Sequence, residues 1–139
     1  FVAEVAEVSL DENRRPVIHK VTCAIDCGWA VNPDTIEAQV ESGIIYGLTA
    51  AMYGEITIEN GQVVQGNFPE YEMIRMSTSP EIEVHIIESG EALGGLGEPA
   101  TPPIAAAVTN AIYILTGQRV RNLPIKNHDF SENSPLARV

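Results

Sequence analysis

Cysteine, tryptophan and positive charge are all scarce in this chain of 139 residues. It has two cysteines and one tryptophan, and 19 acidic residues against 8 lysines and arginines give a formal net charge of −11. The spacing of Cys23 and Cys27 matches neither a zinc site nor a thioredoxin motif, so we expect two small, buried apolar side chains. Because an acidic surface repels nucleic acid and anionic membranes, we expect neither as a partner.

Long apolar runs are missing as well, and we expect no signal peptide in the first residues. No apolar run approaches the ~20 residues needed to span a bilayer. The start, Phe1 to Val5, has no positive segment and no initiator methionine, which predicts a chain that begins in mid-protein. The scattered His19, His85 and His128 form no recognisable metal set, so we predict no metal ligand.

Alternating side chains and turn residues predict an α+β domain. Strands are predicted over 1–10, 17–25 and 81–88, a hairpin over 54–65 around Asn60-Gly61, and helices over 33–53 and 102–116. The expected architecture is two main helices packed on a mostly antiparallel mixed sheet.

The two predicted helices carry different signals. Asn32 and Thr101 are the predicted N-caps, and a proline follows each of them. Gly43 and Gly47 lie inside the first helix, where each costs about 1 kcal/mol relative to alanine, so we expect close packing against another backbone or a ligand. The second helix is apolar almost all round, which predicts burial on most sides.

A glycine-rich loop, Gly94-Gly95-Leu96-Gly97-Glu98-Pro99, lies between the last predicted strand and the last helix. A carboxylate held among glycines makes Glu98 a candidate catalytic base, although a solvated surface charge is the simpler interpretation. Residues 95–100 also fit the dinucleotide fingerprint G-x-G-x-x-G/A. That fit is poor physically, because Glu98 would lie against the pyrophosphate and Pro99 has no N–H to donate.

A second cluster begins with Asp26-Cys27-Gly28-Trp29-Ala30-Val31-Asn32-Pro33. A strand ends there, a capped helix follows, and Gln39 lies seven residues after the N-cap. The amide of Gln39 can both donate to and accept from a heterocycle, although a solvent-facing glutamine would look the same in the sequence.

Together these motifs resemble the C-terminal part of the molybdopterin-binding large subunit of the xanthine dehydrogenase family. The resemblance is greatest to its isoquinoline 1-oxidoreductase beta-subunit branch, which includes aldehyde-oxidising relatives. Asn67-Phe68-Pro69-Glu70-Tyr71 and the segment 116–124 are also similar to that branch. The resemblance implies a C-terminal molybdenum-cofactor-binding domain fragment over 1–125 and a C-terminal tail over 126–139.

The resemblance also implies roles for three residues. Glu98 would be the catalytic base beside the molybdenum, Gln39 would bind the pterin, and Gly97 would let the loop approach the cofactor. The implied enzyme is a molybdenum hydroxylase that oxidises N-heterocycles or aldehydes with water as the oxygen source. Its cofactor would be molybdopterin, and its partners the remainder of the large subunit, a small [2Fe-2S] subunit and a small-molecule substrate.

Two other classes of function stay open from the sequence: a dinucleotide-binding domain and a non-catalytic assembly module. We also expect the chain alone to bind no molybdenum, because sites for large cofactors are lined by several segments. An apolar helix and an unpaired strand edge predict self-association of the fragment. Finally, we expect Gln39 and Glu98 to face a common cavity.

Overall fold

The computed structural model describes residues 1–131, which form two α-helices and two β-sheets. The elements are β1 Val2–Leu10, β2 Pro16–Ile25, α1 Pro33–Met52, β3 Ile58–Glu59, β4 Gln62–Val63, β5 Glu81–Ile86 and α2 Pro103–Thr116, with 3-10 turns at Phe68–Glu70 and Ile125–Asn127. The predicted α+β class, with two helices and a mixed sheet, is confirmed.

The main sheet has the strand order β1-β2-β5, and β3 pairs with β4 separately. β1 and β2 are antiparallel, with Val2 opposite Ile25. β2 and β5 are parallel, with Lys20 opposite Glu81. Because parallel strands end at the same edge of a sheet, the loop after β2 and the glycine-rich loop after β5 lie side by side. This topology brings distant motifs together.

The core lies between one face of this sheet and the two helices. Its largest fully buried side chains come from β2, α1, α2 and the last 3-10 turn: Val21, Cys23, Ile25, Val40, Ile44, Leu48, Ile104, Val108, Ile112 and Ile125. Asn32 caps α1 as predicted, because its side-chain oxygen accepts from the Thr35 N–H at 3.3 Å. The expectation for the cysteines is also confirmed, since Cys23 and Cys27 are buried free thiols.

The start of α2 differs from the prediction. Pro102 occupies the N-cap position, and no side chain caps the helix there. Thr101 is not the cap, because its hydroxyl donates instead to the Gly43 carbonyl of α1 at 3.2 Å. The Thr101 hydroxyl therefore makes a tertiary hydrogen bond instead of the local capping bond that the sequence pattern predicted. Strand β5 also ends two residues early, at Ile86, and the hairpin strands are shorter than predicted.

Helix α2 is also more exposed than its composition predicts. One row, Ile104, Val108 and Ile112, is buried, whereas Ile114 is 85% exposed. The prediction that α2 is buried on most sides is therefore wrong within residues 1–131, because this helix packs against β1 and α1 while its other face is exposed. Such an apolar surface is consistent with a missing partner, and self-association stays a prediction.

The boundary of the predicted tail stays a prediction as well. Phe130 is buried, and its carbonyl accepts from Arg14 Nε at 3.0 Å. The start of the segment 126–139 therefore packs on the domain. The rest of that segment, 132–139, lies outside the described residues.

One acidic side chain lies under α2. Glu4 of β1 is the cross-strand neighbour of Cys23, and both its carboxyl oxygens are buried. Burial raises the pKa of Glu4 to about 7, against a smaller opposing effect of the Cys23 thiol. Burial, with the adjacent carboxyl, also raises the pKa of Cys23 to about 11, so this cysteine stays a thiol at neutral pH.

We therefore expect the free energy of unfolding to fall as the pH rises through the range in which Glu4 loses its proton. The carboxyl has a pKa of 4.5 when exposed and about 7 when folded, so the folded state retains a proton that the unfolded chain releases. The free energy of unfolding should fall from about pH 4.5 to pH 7 and then level off. Glu4→Gln should remove that fall, as measured by denaturant midpoints across the range. An unchanged pH dependence in the variant would contradict the assignment.

Candidate functional site

The loops that follow β2 and β5 are joined by hydrogen bonds. Ser89 Oγ donates to Asp26 Oδ1 at 2.7 Å, and the same oxygen accepts from the Gly28 N–H at 2.9 Å. These donors, first Gly28 and then Ser89, lower the pKa of the Asp26 carboxyl, so it is ionised at neutral pH. The Gly94 N–H donates to the Cys27 carbonyl at 2.9 Å. The glycine-rich loop is thus held against the segment that enters α1.

The glycine of the Asp26-Cys27-Gly28 motif is required by this contact. Gly28 has φ +75°, and a Cβ added to it would lie 2.3 Å from the carbonyl oxygen of Ala92. An L side chain would be strained in that conformation and would push the two loops apart.

The three predicted site residues lie together in the structure. Gln39 Nε2 donates to the Gly97 carbonyl at 2.6 Å across 58 positions of sequence, and Glu98 is the next residue. Gln39 and Glu98 are both exposed. Their contact with one loop fits the expected shared site, while the shared cavity itself stays a prediction.

The glycine-rich loop presents an open face. A Cβ added to Gly95 or Gly97 would meet nothing within 4 Å. Within residues 1–131, no hydrogen bond or ion pair occupies the Glu98 carboxylate, which is therefore available to an external group. The loop therefore offers exposed backbone groups, the Glu98 carboxylate and the side-chain oxygen of Gln39. These donors and acceptors fit a polar heterocyclic cofactor, and the carboxylate could accept a proton from a group bound beside it.

An apolar cavity of about 240 Å³ lies beside the same loops. Trp29, Val31 and Leu93 line it, and these side chains are 70%, 78% and 67% exposed. Sequence reasoning missed this feature. The signal was the presence of the only tryptophan, Trp29, between Gly28 and the helix cap, where it cannot reach the core.

Two further findings concern metal ions and membranes. Residues 1–131 contain no group of three or more histidine, cysteine or acidic side chains arranged to hold a metal ion. None of their helices is long and apolar enough to cross a membrane.

Comparison with known proteins places these features in a family. Residues 1–80 match the protein family described as "Molybdopterin cofactor-binding domain". Isoquinoline 1-oxidoreductase subunit beta of Brevundimonas diminuta is 36% identical over 90% of this chain. A membrane-bound aldehyde dehydrogenase [pyrroloquinoline-quinone] of Gluconacetobacter polyoxogenes is 34% identical over 90% of it. In each case the chain spans 16% of the relative's length.

The fold matches solved structures as well. Quinoline 2-oxidoreductase from Pseudomonas putida 86 superposes with a TM-score of 0.76 and 22% identity, over 86% of this chain and 16% of that one. At this identity the likeness establishes the fold alone. The family match and the sequence identities extend beyond fold and confirm the resemblance inferred from the motifs. The chain therefore belongs to the molybdopterin cofactor-binding domain family, among the molybdenum-binding subunits related to xanthine dehydrogenase.

Proposed function

We propose that this chain is part of a molybdenum hydroxylase that oxidises N-heterocycles or aldehydes with water as the oxygen source. Glu98 is the catalytic base, and Gln39 and Gly97 contribute to the pterin site. The remainder of the large subunit and a small [2Fe-2S] subunit complete the enzyme. The observation that carries this proposal is the 2.6 Å hydrogen bond from Gln39 to Gly97, because it joins the proposed pterin contact to the residue before the proposed base.

The chemistry requires a proton acceptor beside an electron-poor carbon. When bound, the molybdenum cofactor accepts the electrons of the oxidation. The Glu98 carboxylate then has one task, which is to take the proton from the attacking oxygen. General-base assistance of this kind contributes ~10²–10⁴ in rate. A carboxylate that is exposed and lacks a partner within the described residues is free to approach a substrate.

The dinucleotide alternative is less consistent with the loop. Glu98 would place a negative charge beside a pyrophosphate, and Pro99 removes one amide donor. Titration of the complete protein with nicotinamide dinucleotides separates the two proposals, because only the dinucleotide alternative predicts saturable binding.

Labelled water provides a direct test of the proposed reaction. The complete protein, incubated with an N-heterocycle or aldehyde and an artificial electron acceptor in ¹⁸O-water, should form product that carries the label. Turnover in ordinary water under ¹⁸O₂ should leave the product unlabelled. Label from O₂, or no turnover by a preparation that contains stoichiometric molybdenum, would refute the proposal.

We expect the purified 139-residue chain alone to bind no molybdenum. It contributes Gln39 and the Glu98 loop to a site that, for a cofactor of this size, needs walls from several segments. Metal analysis of the isolated chain and of the complete protein, purified in parallel from the same host, checks this. Stoichiometric molybdenum in the isolated chain would contradict it.

A further inference from the structure

Helix α1 holds the segment around Glu98 at two points. Gln39 Nε2 donates to the Gly97 carbonyl at 2.6 Å, and Thr101 Oγ1 donates to the Gly43 carbonyl at 3.2 Å. Gln39 and Gly43 are four residues apart, and so are Gly97 and Thr101. Residues four apart lie in one row on a helix surface, so the segment 97–101 lies along α1 in a fixed register.

Packing between the two points reinforces the register. Ala100 is buried, and a Cβ added to Gly43 would lie 3.3 Å from the Ala100 Cβ. The Thr101 N–H donates to the Glu98 carbonyl at 3.0 Å and closes a turn around the intervening residues. The backbone on both sides of Glu98 is therefore fixed by α1, while its side chain stays exposed.

We propose that Thr101 and Gln39 are positioning residues for Glu98, with α1 as the support. The inference rests on the proposed function, since it needs Glu98 to be the base. Catalysis depends steeply on placement, and displacement by about 1 Å can cost ~10² in rate. A single hydrogen bond to a flexible loop would leave Glu98 free to rotate about that point. Two bonds, one on each side, fix both the position and the direction of the segment.

Thr101→Val is the decisive variant, because the proposed pterin site does not include Thr101. It keeps the shape of the side chain and removes the hydroxyl. In the complete holoenzyme we expect kcat per bound molybdenum to fall about tenfold, with KM and molybdenum content unchanged. Thr101→Ser, which keeps the hydroxyl, should restore most of the rate. Thr109→Val is the matched control, because the Thr109 hydroxyl donates only within its own helix, to Ala105 and Ala106.

A second variant tests the other point. Gln39→Leu should lower kcat per bound molybdenum by a similar factor, and Gln62→Leu on the remote β3–β4 hairpin should leave it unchanged. Amide hydrogen exchange gives a readout independent of turnover. Exchange at the backbone amide of residue 101, corrected for the intrinsic rate of the side chain present, should accelerate in both Thr101→Val and Gln39→Leu, because the turn that this amide closes loses its support.

Combination with Glu98→Gln decides whether the effect passes through Glu98. If Thr101 acts by placing that carboxylate, Thr101→Val should cause no further loss of kcat in a Glu98→Gln background. Equal losses in both backgrounds, or normal kcat and amide exchange in Thr101→Val, would overturn the inference, whatever the result for Gln39→Leu. Full activity of Glu98→Gln itself would instead refute the proposed function, so the two failures are distinguishable.

Discussion

Glu98→Gln in the complete enzyme is expected to lower kcat at least ~10²-fold while the molybdenum content stays near normal. Glutamine keeps the size of the side chain and can hydrogen-bond, but it cannot accept a proton at neutral pH. The loop should keep its shape, because Gln39, Thr101 and the Gly94–Cys27 hydrogen bond hold its backbone rather than the Glu98 side chain. Single-turnover reduction by substrate, normalised to bound molybdenum, measures the effect.

The matched control is Glu91→Gln, which removes a carboxylate from the same connection between β5 and α2 but outside the glycine-rich loop. Glu91 is exposed and lies seven residues before Glu98, so a general effect of loop charge would appear in both variants. The dinucleotide alternative predicts the opposite sign, because removing a negative charge beside a pyrophosphate improves binding. Undiminished reduction by a fully loaded Glu98→Gln enzyme would refute the catalytic assignment.

Gly47→Ala is expected to destabilise the protein, although alanine is the better helix former. An added Cβ would lie 2.5 Å from Ile104 Cγ2 and 2.5 Å from the Thr101 carbonyl oxygen, so the α1–α2 contact must open. Overpacking costs about 1–3 kcal/mol, against about 1 kcal/mol gained in helix propensity. Because a backbone carbonyl must move, we expect a net loss of about 1–2 kcal/mol, measured by thermal or denaturant unfolding.

Gly43→Ala is the comparison within the same helix. Its added Cβ would meet the Ala100 Cβ and Thr101 Oγ1 at 3.3 Å, which a small shift relieves. The gain in helix propensity then offsets the cost, so we expect a change close to zero. If Gly43→Ala destabilised the protein as much as Gly47→Ala, the distance between the added Cβ and its nearest neighbours would not explain the loss of stability.

Local signals in the sequence predicted most of the elements and the candidate site residues. The Asn32 cap and the buried cysteines follow from short-range pattern and hydrophobicity, and each agrees with the structure. The predicted alternation of β2 holds for Val21, Cys23 and Ile25 only. A register shift opposite Glu7 and Val8 interrupts it, so that Val17 is exposed and Ile18 packs against the core. The two helix glycines predicted a close approach, and the structure shows it at Gly47. The motifs around Gln39 and Glu98 indicated a molybdopterin family, which the comparisons confirm.

Only the tertiary structure decided how these parts meet. Parallel pairing of β2 with β5 joins loops that are about 60 residues apart, and no local pattern encodes strand order. Thr101 was predicted to be a helix cap because threonine is favoured at the N-cap and proline at the first helical position, yet its hydroxyl donates to the Gly43 carbonyl of α1. From the sequence, Gln39 could face either solvent or the pterin. Its hydrogen bond to Gly97 could not be predicted, because it depends on a loop 58 positions away. The sequence determined which polar groups are present, whereas packing decided that Gln39 and Gly43 of α1 contact Gly97 and Thr101, on either side of Glu98, because such contacts form only after distant segments are brought together.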